Sequence, residues 1–281
     1  MKLKTQKRAF LLTIVLFSTG LIFASRVDTI RVESKVMHKT IKNIVIVPND
    51  YQSTKTYPSV YLLHGAGGDF KDWVTNAPGI KILSDLYKVI IVCPDGGVTS
   101  WYYDSPVDST YKYETFVTKE LLGYVDAHYA TNKDKSARAI TGLSMGGHGG
   151  LYLSLRHQDL FGAGGSMSGG VDIRPFPNNW DIAKRLGTLQ SQPENWEKNT
   201  IVNMLNLLKN SSLKLIIDCG VNDFFYDVNS NLHKKLLEIK YPHDYIERPG
   251  VHNWPYWKNS VKYQFLFFNE FFTRGGTSKI Q

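Results

Sequence analysis

Between Thr141 and Gly150 the chain reads TGLSMGGHGG, a lone serine set among glycines. The stretch Gly142-Leu143-Ser144-Met145-Gly146 has the spacing G-x-S-x-G, in which a chain leaves a strand and enters a helix through one strained turn. Glycine belongs where a Cβ would collide with neighbouring backbone. Such a turn lifts the Ser144 hydroxyl above a sheet and points the next N–H, that of Met145, at a developing oxyanion. The chemistry this suits is nucleophilic attack on an acyl carbon. A serine hydroxyl is a poor nucleophile at its own pKa and needs a base that is itself held by an acid.

In this arrangement the acid and then the histidine follow the serine along the chain. Of the eight histidines, His38 precedes the core strands. His128, His157 and His233 sit in helical patterns, His64 opens a glycine loop, and His148 lies just past the serine. His243 falls before the last predicted strand, DYIERP, at the wrong edge. His252, in GVHNWPYW, falls just after that strand, where a loop can hang it over the strand ends. For the acid, LIIDCGVNDFFYD offers three residues. Asp218 lies inside a strand and reads as a buried structural carboxylate. Asp223, in the loop past Cys219-Gly220, is the first choice, and Asp227, one helical turn on, is the reserve. An oxyanion needs two N–H donors. One is expected from Met145 and the other from the loop His64-Gly65-Ala66-Gly67-Gly68, on Ala66 or else Gly65. That loop has neither G-K-[ST] nor G-x-G-x-x-G, so it does not read as a phosphate cradle. His64 is expected to brace it.

The elements that must position these groups are legible as short apolar runs ending in glycine or polar turns. They are SVYLLHGAGG (59–68), VIIVCPDGG (89–97), ARAITGLSMGG (137–147), GAGGSMSGG (162–170) and LKLIIDCG (213–220). Runs of this kind suit strands buried on both faces. Helical periodicity appears over Tyr113 to Tyr129, His148 to His157, Leu232 to Lys240 and Val261 to Phe272. Alternating strands and helices predict a mostly parallel sheet with right-handed crossovers. Ahead of it, Ile30 to Val47 alternates as two antiparallel strands. Residues 171–210, rich in Pro, Asn and Trp, form a cap-like excursion. Residues 26–281 read as one domain. Glu114, in YETF, reads as a helix-start residue.

Residues 1–25 run from basic MKLKTQKR through apolar AFLLTIVLFSTGLIFA to small Ala24 and Ser25, the order of a secretory signal. The expected location is therefore periplasmic or secreted, with no stable membrane anchor after cleavage. Lys2, Lys4, Lys7 and Arg8 carry four of the eight net positives. The +4 that remains is spread without basic runs and argues against a nucleic-acid partner. Cys93 and Cys219 fall in separate buried strands and read as free thiols without metal-site spacing.

Taken together and in order, YLLHGAGGDFKDW, VIIVCPDGG with SWYYDSP, YKYETFVTKELLGYVD, TGLSMGGHGGL, CGVNDFFYD and GVHNWPYW resemble the esterase D branch of the α/β-hydrolases. That branch includes S-formylglutathione hydrolases, feruloyl and acetyl esterases, and mycolyltransferases. The resemblance covers nearly the whole chain after the signal. It implies an α/β-hydrolase fold, a triad on Ser144, Asp223 and His252, oxyanion amides on Ala66 and Met145, and ester or thioester chemistry without metal or other cofactor. An export signal disfavours S-formylglutathione, a cytosolic metabolite, and favours a small ester or acylated carbohydrate, with acetyl or feruloyl groups on plant polysaccharide foremost. Trp101, Trp180, Phe224 and Trp254 are the expected substrate contacts, from an aromatic set that also holds Tyr102, Tyr103, Phe176 and Phe225. Acyl transfer to an acceptor alcohol is the alternative, as is, from another class, a carbohydrate-binding module on an inactive hydrolase scaffold.

Overall fold

The five apolar runs become neighbouring strands in the computed structural model, which describes residues 25–274; the expected signal segment through residue 24 lies outside the described residues. They are β3 (Ser59–Leu63), β4 (Ile90–Pro94), β5 (Arg138–Gly142), β6 (Ala163–Met167) and β7 (Lys214–Gly220). With β8 (Asp244–Arg248) they pair in parallel. β1 (Arg26–Ser34) and β2 (Lys39–Val47) add an antiparallel flank. The sheet order is β1-β2-β4-β3-β5-β6-β7-β8. β5 therefore lies near the middle, between β3 and β6, with every residue buried.

Alternate residues of each strand feed two cores. Tyr61, Leu63, Val92 and Ile140 pack on one face, while Val60, Leu62, Ile91 and Ala139 pack on the other. The second face is closed by α1 (Asp72–Asn76), α2 (Ile80–Tyr87) and, at the far end of the chain, α9 (Trp254–Thr273). The first is closed by the run α3 (Tyr113–Thr115), a π-helical stretch Phe116–Leu121, α4 (Leu122–His128) and then α5 (Met145–Arg156). α5 is glycine-rich and a poor helix by propensity. It forms because it is wedged into the core, with Met145 through Leu155 all buried.

Between β6 and β7 the chain makes its long excursion through α6 (Ile182–Leu186), α7 (Pro193–Lys198) and two 3₁₀ turns. The last crossover is α8 (Tyr226–Glu238). Two helices start earlier than periodicity suggests. α8 begins at Tyr226 rather than Leu232, and α9 at Trp254 rather than Val261. Asn253 accounts for the latter: its side chain accepts the Tyr256 N–H (3.1 Å) and Pro255 occupies the first turn, both helix-start devices. α1 and α2 have no counterpart among the sequence-derived helices. Cys93 on β4 and Cys219 on β7 are separated by three strands, and both are free and buried. Burial pushes both thiols up.

His148, one turn into α5, is fully buried against Trp101, Tyr103 and Tyr152. Its Nδ1–H donates to the Gly170 carbonyl (3.1 Å). Burial pulls its pKa down to about 4 against the weaker pull of that bond. An unfolded histidine titrates near 6.5, so between these values the unfolded chain binds the extra proton. The stability this contributes is complete above pH ~6.5 and is lost as the pH falls towards 4. Denaturant midpoints of the wild type and His148→Phe at pH 7 and pH 5 should show the wild type losing about 2 kcal/mol more on acidification. Equal losses would remove His148 from the account.

Candidate active site

Ser144 has φ 56° and ψ −119°, a left-handed conformation that a residue with a side chain adopts only under constraint. Three elements impose it. Its own N–H donates to the Met167 carbonyl of β6 (2.9 Å), and the Leu143 N–H donates to the Leu63 carbonyl of β3 (3.3 Å). Its carbonyl accepts the His148 N–H of α5 (3.0 Å). The glycines on either side have a steric cause. A Cβ at Gly142 would sit 2.6 Å from the Leu63 and Gly146 carbonyl oxygens, and one at Gly146 would sit 2.6 Å from those of Leu63 and His64. All of these are backbone atoms that cannot yield.

The other members arrive from loops beyond the carboxyl ends of parallel strands. His252 hangs between β8 and α9, and Ser144 Oγ lies 2.9 Å from its Nε2. On the far side of the ring, Nδ1 lies 2.9 and 3.0 Å from the two carboxylate oxygens of Asp223. An ionised carboxylate only accepts, so Nδ1 carries the proton and Nε2 presents a lone pair to the serine. The ring is clamped by Phe224 (centroids 4.1 Å apart) and by Trp257 edge-on (4.9 Å). Asp223 is buried in the loop after β7, and its Oδ1 also accepts the Phe225 N–H (2.8 Å). This line can move a proton off Ser144 while the carboxylate stabilises the resulting imidazolium.

Asp227 does not join the line. It lies exposed on the first turn of α8. Asp218 sits inside β7, accepting from Arg248 (2.6 Å), Tyr256 (2.6 Å) and Ser260 (2.9 Å). Burial pushes its carboxyl up, against those three donors. The cluster ties β7 to β8 and α9, the two elements that bracket His252. Glu114 is no mere helix-start residue. Burial raises its carboxyl, but hydrogen bonds from His157, Arg156 and Tyr152 prevail and hold it at about 2.

The glycine loop after β3 is fixed from both sides of His64. Its Nδ1–H donates to the Gly65 carbonyl (2.8 Å), and its Nε2 accepts the Gly96 N–H (2.8 Å). The Gly67 amide is taken by the Val98 carbonyl (2.8 Å). Ala66 lies on the wall of the cleft beside Ser144. Met145 is the first residue of α5, where an amide finds no partner within the helix.

The cleft holds about 310 Å³. Ser144 and His252 form its floor, Gly65, Ala66 and Asp72 one wall, and Trp180, Phe224, Trp254 and Trp257 the aromatic remainder. Trp180 comes from the excursion after β6 and stacks on Phe224 (5.6 Å, 20°). Trp101 must be corrected: it is 1% exposed, outside the cleft, and donates its indole N–H to the Trp180 carbonyl (3.2 Å). Left-handed backbone at Trp101 (φ 55°) and Tyr102 (φ 61°) turns both rings inward. Tyr102, Tyr103 and Phe225 are likewise core residues. Two lining residues had not been singled out. Trp257 lies one turn beyond Trp254, a pairing visible once α9 is started at Trp254. Asp72 had no signal beyond its place between the glycine loop and Trp73.

Strained serine, histidine and buried carboxylate above the carboxyl ends of a mostly parallel sheet define an α/β-hydrolase. The Esterase family model matches residues 34–268, and the chain belongs to that family. The chain is similar to an acetyl esterase of Caldicellulosiruptor saccharolyticus, 27% identical over 248 residues covering 81% of this chain and 92% of that protein. An esterase of Mycobacterium tuberculosis is 37% identical over 134 residues, 46% of this chain but only 29% of that relative's length. The solved structure of a ferulic acid esterase superposes with a TM-score of 0.77 at 30% identity, covering 89% of this chain and 99% of that one.

The geometry separates the two acids. Asp223→Asn should slow labelling of Ser144 by a fluorophosphonate probe by about three orders of magnitude, since the amide presents the wrong hydrogen-bonding face to Nδ1. Asp227→Asn should leave the labelling rate within about twofold, as an exposed substitution remote from the ring does. The reverse ranking would overturn the assignment.

Proposed function

We propose that this chain is an exported serine esterase that hydrolyses carboxylic esters through an acyl-enzyme, with acetyl or feruloyl esters of plant carbohydrate as its substrates. One observation carries the reading: the unbroken hydrogen-bonded line Ser144–His252–Asp223 on the floor of an aromatic cleft. The named relatives, an acetyl esterase and a ferulic acid esterase, support the acyl groups. The basic, apolar and small-residue order of residues 1–25 supports export.

Ser144 Oγ attacks the ester carbonyl carbon as its proton passes to His252 Nε2. The oxyanion is met by the amides of Met145 and Ala66, the pair of N–H donors that such a charge requires. The C–O bond to the alcohol breaks, and the alcohol leaves with the proton from Nε2. Water then attacks the acyl carbon, gives a proton to Nε2, and releases the acid as Ser144 takes that proton back. Asp223 remains ionised throughout, holding the tautomer and the imidazolium. Trp180, Phe224 and Trp254 supply aromatic surface beside the reacting groups for a sugar or a phenolic acyl group. No metal or cofactor has a part in these steps.

The test is hydrolysis of p-nitrophenyl acetate, methyl ferulate and acetylated xylan by protein from residue 26 onward, beside Ser144→Ala and His252→Ala. We expect turnover by the wild type, and a loss of about 10⁴-fold or more in each variant, as for coupled members of one triad. Acylated sugar or glycerol appearing when either is added would reassign the protein to acyl transfer. Absence of both turnover and fluorophosphonate labelling would leave the binding-module reading.

A further inference from the structure

Asp72 is the one acidic wall residue of the cleft that the Ser144–His252–Asp223 line does not use. It opens α1 directly after the glycine loop, next to Trp73, whose indole N–H is locked onto the Leu63 carbonyl (3.0 Å). That bond ties the start of α1 to the end of β3. The carboxylate is folded back over the loop, and a Cβ built on Gly68 would run into its Oδ2. It shares the cleft lining with Gly65 and Ala66, and its carboxylate accepts a hydrogen bond from the Asp69 backbone N–H.

Among the described residues no lysine or arginine pairs with it: Lys71, its chain neighbour, turns to Asp69 instead (3.7 Å). The charged and titratable groups around it are His64, whose two ring nitrogens are both engaged, and two further carboxylates, Asp69 and Asp95. Half-buried, it has its carboxyl pushed up by desolvation. That single backbone hydrogen bond, from Asp69, leaves most of the carboxylate's acceptor capacity open. The rest of the lining is mostly aromatic. An acceptor-only group among ring faces suits a ligand that brings O–H donors and apolar C–H faces together.

We propose that Asp72 is a specificity-determining residue: it accepts a hydrogen bond from a hydroxyl of the bound ester and repels esters that carry a carboxylate of their own. The inference rests on the esterase reading above and gives the cleft a preference for neutral, hydroxyl-bearing esters.

Three esters separate the possibilities: p-nitrophenyl acetate, an acetylated xylo-oligosaccharide, and the mono-p-nitrophenyl ester of succinate. In Asp72→Asn, kcat/KM should stay within about threefold on the first, as for a group outside the reacting line. It should fall about tenfold on the second, the scale of one charge-assisted hydrogen bond. It should rise several-fold on the third. Equal changes on all three would make Asp72 a support of the loop and overturn the proposal. Fluorophosphonate labelling of the variant at the wild-type rate certifies an intact floor. A second measurement needs no variant. The chain is net positive, so screening of its overall field would slow the succinate ester as salt rises. Screening of Asp72 would instead speed it relative to the acetate. A slowing would overturn the proposal. A wild type inert on all three esters would overturn the esterase reading first and this inference with it.

Discussion

Everything at the site hangs on one backbone conformation, the left-handed Ser144. Such a residue costs on the order of 1–3 kcal/mol and persists only where its surroundings over-determine it. Here β6 and α5 hold it through its own backbone hydrogen bonds, and β3 holds the preceding Leu143. The cost is repaid in direction, because the turn throws the hydroxyl out of the sheet and into hydrogen-bonding reach of His252. The steric demands at Gly142 and Gly146 follow from the same closeness, for the turn exists only where strand and helix backbones nearly touch.

A parallel sheet makes the remainder possible. The carboxyl ends of β3, β5, β7 and β8 all open onto one rim, so residues as distant in sequence as His64, Ser144, Asp223 and His252 become neighbours. The loops that carry them are short and individually anchored. His64 bridges two loops with its two nitrogens, and Asp218 binds β7, β8 and α9 from within the sheet. Buried polar groups that are fully hydrogen-bonded in this way confer rigidity. Geometry at the 3 Å scale is therefore kept by residues that never face the cleft.

How far the sequence could be read depended on whether the information was local. The elbow declared itself because its spacing sits between an apolar run and a helical pattern. The strands declared themselves through burial on both faces, and the antiparallel flank through its alternation. Trp101 misled because exposure depends on two consecutive left-handed residues in the loop after β4, which no composition reveals. The start of α9 was hidden because an aromatic run with proline resembles a loop unless Asn253 is recognised as its cap. With α9 started late, Trp257 went unseen. Residue order alone did not decide between Asp223 and Asp227; the start of α8 at Tyr226 turns the second outward. Asp72 was invisible because its meaning lies in what is missing around it, a partner cation, and only the fold shows that.

β8 is the edge of the sheet, bonded on one side only, and none of its residues is fully buried. It is nevertheless the strand from whose end His252 hangs. Edge strands open at lower free energy than the interior of a sheet. Its ladder to β7 and the ion pair from Arg248 to Asp218 are what hold this strand to the buried interior. Warming should therefore silence the molecule before it melts it. The base would drift from the serine while the central strands, and most of the spectroscopic signature of the fold, stay in place. Lifetime at temperature becomes a property of one peripheral strand rather than of the core.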